Sequence, residues 1–238
     1  MHRALIQRRT GHCSPCHVAA QGFSELGYEI EWFDDIDLAA RVIDRDQIVV
    51  GGVATVLGAL RRLGIEKRFA SMPAALQPFA DRNIEVTTLA EARRRPMPFF
   101  MKPVADAKAF GGTLVRTTVD LVASAALSSS LTVLVSSPID FRAEYRCFVV
   151  RGSVVGCRHY KGDPLAFPDA RRITAMIAAW TTAPAAWALD VGVTTGGATV
   201  IVEVNDGHST GDYGLPPLAY ARYLEARWCE LTGASPLP

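Results

Sequence analysis

The chain opens with short apolar runs separated by segments of helical spacing. Ala4-Leu5-Ile6, Tyr28 to Phe33 and Ile48-Val49-Val50 read as strands. Between them, Val18 to Leu26 and Ile36 to Ile43 carry apolar residues at the spacing of a helix face. The alternation predicts a β/α opening. Gly51-Gly52 closes the third strand, and Val53 to Leu63 has helical spacing, with Gly64 placed where helices commonly end. From Ile65 to Pro98 the pattern fades: four prolines interrupt it, Arg93-Arg94-Arg95 adds a charge run, and a linker is expected.

Strand patterns dominate the rest. They fall at Phe99 to Lys102, Thr113 to Arg116, Leu131 to Val135, Phe141 to Val150, Val154 to Tyr160, Ala186 to Val193 and Ala198 to Val204. Helices are expected at about Thr118 to Leu127, Asp169 to Thr181 and Pro217 to Leu231. Strands in antiparallel succession with helices set apart from them predict an α+β fold, without internal repeats or low-complexity tracts.

Composition narrows the class. With 238 residues, 49% of them hydrophobic, the chain can bury a core in one or two domains. The balance of 25 basic against 24 acidic side chains recommends neither nucleic acid nor an anionic membrane as partner. Ile173 to Leu189, the most apolar stretch, is interrupted by threonines and Pro184 and reads as a helix followed by a strand, not a membrane span. Met1-His2-Arg3 leads into a short strand without the long apolar core of a signal peptide, so a cytoplasmic location is expected. Five cysteines are an odd number, and Cys147, Cys157 and Cys229 lie inside apolar patterns, so buried thiols are expected.

The sharpest chemistry lies in two β-type runs flanking Gly196-Gly197. A two-residue turn there, with positive φ at both glycines, pairs Asp190 with Glu203. Alternation puts Asn205 on the same face and sends Val202 and Val204 into the core. Two carboxylates with an amide oxygen suit Mg²⁺, which takes its other ligands from water and phosphate. The plain alternative is a solvated sheet face on which each carboxylate meets an arginine.

Lys102 ends an apolar strand, and Lys108 with Gly111-Gly112 forms a following loop whose backbone can approach phosphate oxygens. This is not a Walker sequence, and a lysine at a strand end is more often a solvated edge charge. Arg142, Glu144, Arg146 and Phe148 share one strand face, opposite a strand carrying Arg158 and His159. Arginines there either form a surface ladder or clamp anionic groups.

In their order, these features resemble the ATP-grasp superfamily, in particular its small, divergent, stand-alone members. The resemblance covers about Phe99 to Tyr213, and Glu203-Val-Asn205-Asp-Gly is its most specific element. It implies an α/β-like segment over 1–82, then an ATP-grasp fold whose two antiparallel-sheet lobes, 83–137 and 138–238, enclose the nucleotide. It further implies that Lys102, Lys108, Gly111 and Gly112 hold ATP phosphates. Leu134, Val135 and Ser136 match the hinge that meets adenine. Glu144 and Asp190 join the nucleotide site, and Asp190, Glu203 and Asn205 hold Mg²⁺.

The implied activity is carboxylate–amine ligation through an acyl phosphate, on small-molecule or peptide substrates, with Lys102, Arg146 and Arg158 in catalytic roles. One departure is Ala188, where many relatives have a basic residue that helps bind the acyl phosphate. Arg146 or Arg158 is expected to take over that task. A kinase on the same scaffold, and a nucleotide-binding module without catalysis, are the alternatives.

Two features stand apart. His208, in the polar loop after the hairpin, is a candidate base or a plain loop hydrogen bonder. Cys13-Ser14-Pro15-Cys16-His17 formally matches haem c attachment and redox motifs. The simpler reading is a strand-to-helix turn with Ser14 capping and Pro15 opening the helix, placed where it could face substrate.

Overall fold

A computed structural model gives the fold, described for residues 2–8, 15–34, 41–66, 72–104 and 109–237. The N-terminal unit is a parallel sheet of β1 (Arg3–Gln7), β2 (Glu29–Phe33) and β3 (Gln47–Val50), in the order β2-β1-β3. Leu5, Ile6, Val49 and Val50 are buried, as the apolar runs of a covered parallel sheet require. α1 (Pro15–Glu25) opens on its proline, and α2 (Val53–Arg62) is followed by Gly64 at φ +73°. The expected Ser14 cap and most of the expected helix at 36–43 lie outside the described residues.

Where a linker was expected, the chain instead forms a 3₁₀ turn (Ala74–Phe79), β4 (Ile84–Thr88) and a single helical turn α3 (Leu89–Ala92). Thr88 and Glu91 make a capping box at that turn. β4 escaped the pattern because it is an outer strand, with Glu85 and Val86 both exposed. It pairs with β7 (Thr132–Ser136), which pairs in turn with β5 (Phe99–Pro103) and then β6 (Thr113–Val115). Phe99, Met101, Val115, Val133 and Val135 form this sheet's core with Leu89 and Phe110. The helix expected from Thr118 is a 3₁₀ helix, Thr118–Ser124. Val119 and Val122 on it are exposed, so no apolar face anchors a longer helix.

The third sheet runs β11-β10-β8-β9, built from β8 (Phe141–Val150), β9 (Ser153–Gly162), β10 (Ala186–Thr194) and β11 (Thr199–Asp206). Tyr145, Cys147, Val149, Trp187 and Leu189 face α4 (Ala170–Ala179) through Ile173 and Met176. At Phe148 and Ala186 the other face meets α5 (Pro217–Thr232) and the N-terminal core. α1 lies so close to α5 that a Cβ on Gly22 would fall 2.0 Å from the Pro217 carbonyl oxygen. The arrangement is α+β, with two antiparallel sheets attached to an α/β unit.

One thiol departs from expectation. Cys16, Cys147 and Cys229 are buried, but Cys157 is exposed because β9 is an outer strand. Its Sγ lies 3.2 Å from that of Cys147, directly across the β8–β9 ladder. No described helix is long and apolar enough to cross a membrane.

Candidate active site

The hairpin of β10 and β11 places the acidic residues, by a route different from the expected one. Its turn is wider: Gly197 N–H donates to Thr194 O at 2.9 Å and Thr194 N–H to Ala198 O at 2.8 Å. Only Gly197 has positive φ, at +86°, as in a three-residue loop that ends in a left-handed residue. Near this turn Val191 pairs with Ile201 and Val193 with Thr199. A β-bulge then shifts the register by one residue, so Asp190 pairs with Glu203 and Ala188 with Asn205. Val202 is the extra residue. It is half-buried and outside the core, contrary to expectation, while Ile201 and Val204 fill the core position on either side.

Asp190, Glu203 and Asn205 do come together. Asn205 Nδ2 donates to Glu203 Oε1 at 2.9 Å and to Asp190 Oδ2 at 3.3 Å. Like charges this close need cations. Arg146, opposite Asp190 on β8, donates from Nε and Nη2 to its two carboxylate oxygens at 2.7 and 2.6 Å. Lys102 Nζ reaches across from the other antiparallel sheet to Glu203 Oε2 at 2.5 Å. Burial pushes the Asp190 carboxyl up to about 6, although Arg146 pulls it down. Burial acts the same way on Glu203, but Lys102, Asn205 and Arg146 together hold its carboxyl below the usual range.

The donor set fits Mg²⁺ in the sense its chemistry demands: hard oxygen atoms, few in number. Among the described residues no three His, Cys, Asp or Glu side chains gather into a fuller cage. Glu203, its two oxygens met by Asn205 and Lys102, is the more exposed carboxylate. Asp190, 1% exposed, has both oxygens engaged by Arg146.

Around this cluster, Tyr160 donates to Glu144 Oε2 at 2.9 Å, and Lys161 also pairs with Glu144. Tyr213 lies under the Arg146 guanidinium at 4.5 Å from ring centre, and holds φ at +50°. Arg158 stands opposite Arg146 on β9, with its Nε buried and, among the described residues, without a hydrogen-bond partner. Orphaned donors beside a second guanidinium suit an anion. On the other lobe, Leu134 pairs with Lys102 and Ser136 with Phe100, so these four share a face. The Val135 side chain turns into the core, and its backbone lies between two paired strands, with Glu85 of β4 on one side and Met101 of β5 on the other. Gly112 packs where a Cβ would meet Phe100 Cζ at 2.7 Å, while a Cβ on Gly111 would meet nothing within 4 Å among the described residues. Lys108 and Cys13 lie outside the described residues.

The loop after β11 is anchored by Asp206, which accepts from Arg227 Nε at 2.7 Å and Nη2 at 3.0 Å. It closes one side of a cavity of about 200 Å³, whose other walls include Pro15, Cys16, Val50, Gly51 and Tyr220. His208 and Thr210 are in the loop wall. The cavity lies along β3 and past its end, beside the first residues of α1; crevices at the ends of parallel strands receive ligands in α/β sheets. Sequence reading missed Tyr160, Tyr213 and Arg227 as parts of the site. Only the Asp206–Arg227 separation on flanking elements carried any signal, and nothing in the local pattern tied either tyrosine to Arg146.

A family described as an ATP-grasp domain, the second family of its clade, matches residues 79–223, more than half of the chain. No curated protein sequence matches. Among solved structures, a RimK domain ATP-grasp protein from Sphaerobacter thermophilus is 18% identical, covering 94% of this chain and 99% of its own, with a TM-score of 0.57. D-alanine–D-alanine ligase from Bacillus anthracis is 17% identical, covering 98% and 97%, with a TM-score of 0.56. D-cycloserine synthetase DcsG is 14% identical, covering 96% and 100%, with a TM-score of 0.61. These likenesses establish a shared fold, and the family match goes further: the chain belongs to this ATP-grasp domain family.

Proposed function

We propose that the protein is an ATP-dependent carboxylate–amine ligase that works through an acyl phosphate and releases ADP and phosphate. One observation carries this reading: Lys102 from one antiparallel sheet meets Glu203 on the other, beside Asp190, Asn205 and Arg146. The ligases among its structural neighbours favour the same chemistry. Lys102 binds ATP phosphates, joined by Lys108 and the Gly111-Gly112 backbone. Glu203 and Asn205, backed by Asp190, would hold Mg²⁺. When bound, that ion neutralises charge on the phosphate oxygens.

The substrate carboxylate attacks the γ-phosphorus, and the bond to the ADP oxygen breaks. Arg158, whose Nε has no partner among the described residues, and Arg146 receive the acyl phosphate oxygens, supplying the positive charge that Ala188 does not. The amine then attacks the acyl carbon and phosphate leaves. His208 is the candidate acceptor of the amine's proton, and the cavity beside it takes a small substrate or the end of a peptide. The chain contributes positioning and fixed charge, with no covalent enzyme intermediate.

Purified protein supplied with Mg·ATP and mixtures of carboxylic acids and amines should release ADP and phosphate only when both substrates are present. Release of AMP would eliminate the acyl-phosphate route, and a stable phosphorylated product formed without an amine would make the protein a kinase.

A further inference from the structure

Arg82 stands two residues before β4 and outside every motif of the sequence. Its Nη1 donates to the carbonyls of Ala80 at 2.9 Å and Ile201 at 2.7 Å, and its Nη2 to that of Val202 at 3.0 Å. The guanidinium has thus left much of its water and is met by backbone dipoles. In a regular strand, carbonyls of successive residues point to opposite edges. One side chain can hold the carbonyls of Ile201 and Val202 together because the bulge turns both to the same edge. β11 is the outer strand of its sheet, so that edge faces no further strand among the described residues.

We propose that Arg82 is a positioning residue for the acidic cluster: by clamping these two carbonyls it fixes the bulge, and the bulge sets Glu203 opposite Asp190. The alternative register shows what is at stake. Carried on from the turn, the pairing of Val191 with Ile201 would set Asp190 against Val202 and turn Glu203 to the other face. Arg82 also fastens the segment that leads into β4, the outer strand of the Lys102 sheet, to the hairpin of the other sheet. The consequence for Mg²⁺ rests on the ligand roles proposed above; the clamp itself does not.

The test compares Arg82→Met, which keeps much of the stem but no donors, with Arg82→Lys, which keeps the charge but cannot fork. Hydrogen exchange over Thr199–Asp206 reads the bulge without any metal. Mn²⁺ binding beside a non-hydrolysable ATP analogue reads the cluster, and binding of that analogue in EDTA reads the nucleotide lobe alone. In Arg82→Met, exchange over β11 should accelerate, and Mn²⁺ affinity should fall, by about tenfold or more, the loss expected for charge-assisted hydrogen bonds. Analogue binding in EDTA should hold, and Arg82→Lys should recover part of both losses.

Wild-type exchange in folded Arg82→Met would overturn the proposal, as would an equal loss of analogue binding in EDTA. If the methionine variant does not fold, wild-type exchange and Mn²⁺ affinity in Arg82→Lys overturn it instead. Glu203→Ala separates the two claims: Mn²⁺ binding that survives it removes the ligand assignment, while the exchange data still judge the clamp.

Discussion

At the scale of single residues, the site is governed by charges that are buried together. Asp190 and Arg146 are each less than a tenth exposed and share two hydrogen bonds. Removing one partner strands the other, so Arg146→Met should cost about 3–5 kcal/mol in denaturant unfolding. Asp190→Asn added to it should restore a good part of that loss. The sign of its pH dependence follows from the raised Asp190 carboxyl, at about 6 against an ordinary 3.8. A carboxyl held above its unfolded value lends stability at low pH and loses it as pH rises through the folded value. Without the guanidinium that value climbs further, so the Arg146→Met penalty should be smaller in acid than at neutral pH. A penalty that grows in acid would contradict the assignment. On the opposite face of β8, the Cys147 thiol donates toward Cys157, which holds the Cys157 thiol below its usual range; burial opposes this and Arg158 assists it. The same contact pushes the Cys147 thiol up. Cys157 should therefore be alkylated by iodoacetamide before Cys16, Cys147 or Cys229, with a rate midpoint below the ordinary 9.0, as mass spectrometry of the labelled peptides would show.

At the scale of elements, the hairpin shows how a correct register was read for an incomplete reason. A two-residue turn on Gly196-Gly197 pairs Asp190 with Glu203; the actual turn is one residue wider, and the Val202 bulge cancels the difference. The two turns differ in what they ask of Gly196: the narrower one requires positive φ at both glycines, the actual one at Gly197 alone. Gly197 sits at φ +86°, whereas a Cβ on Gly196 would meet, among the described residues, only Thr194 Oγ1, at 3.8 Å. Gly197→Ala should thus cost about 1–2 kcal/mol and Gly196→Ala close to nothing; equal losses in thermal unfolding would restore the narrower turn. The bulge had no local signature, because what marks it is Arg82, over a hundred residues away. β4 was illegible for a related reason: an outer strand with exposed side chains on both faces lacks the alternation that betrays a half-buried one. Strands with a buried face, such as β8 and β10, were legible nearly to their ends. The 3₁₀ character of Thr118–Ser124 depends on packing that spacing does not record.

At the scale of the whole molecule, one ion pair spans the two antiparallel sheets. Lys102 comes from β5 and Glu203 from β11, and their side chains are 20% and 30% exposed. Both are assigned to the same ligand complex, Lys102 to the triphosphate and Glu203 to the cation, so the pair must open as that complex enters. Lys102 therefore has two opposed effects. Toward nucleotide it supplies attraction, and Lys102→Met should weaken binding of an ATP analogue about tenfold or more, as expected for charge-assisted contacts with phosphate. Toward a free divalent cation it is a competitor, because a metal at Glu203 must displace or sit beside an ammonium 2.5 Å from Oε2. The same variant should consequently bind Mn²⁺ more tightly than the wild type when no nucleotide is present. Calorimetry with each ligand alone checks the two signs separately. A structural salt bridge with no part in binding would leave analogue affinity unchanged, whereas a loss of both affinities together would mean that Lys102 organises the cluster and does not compete within it.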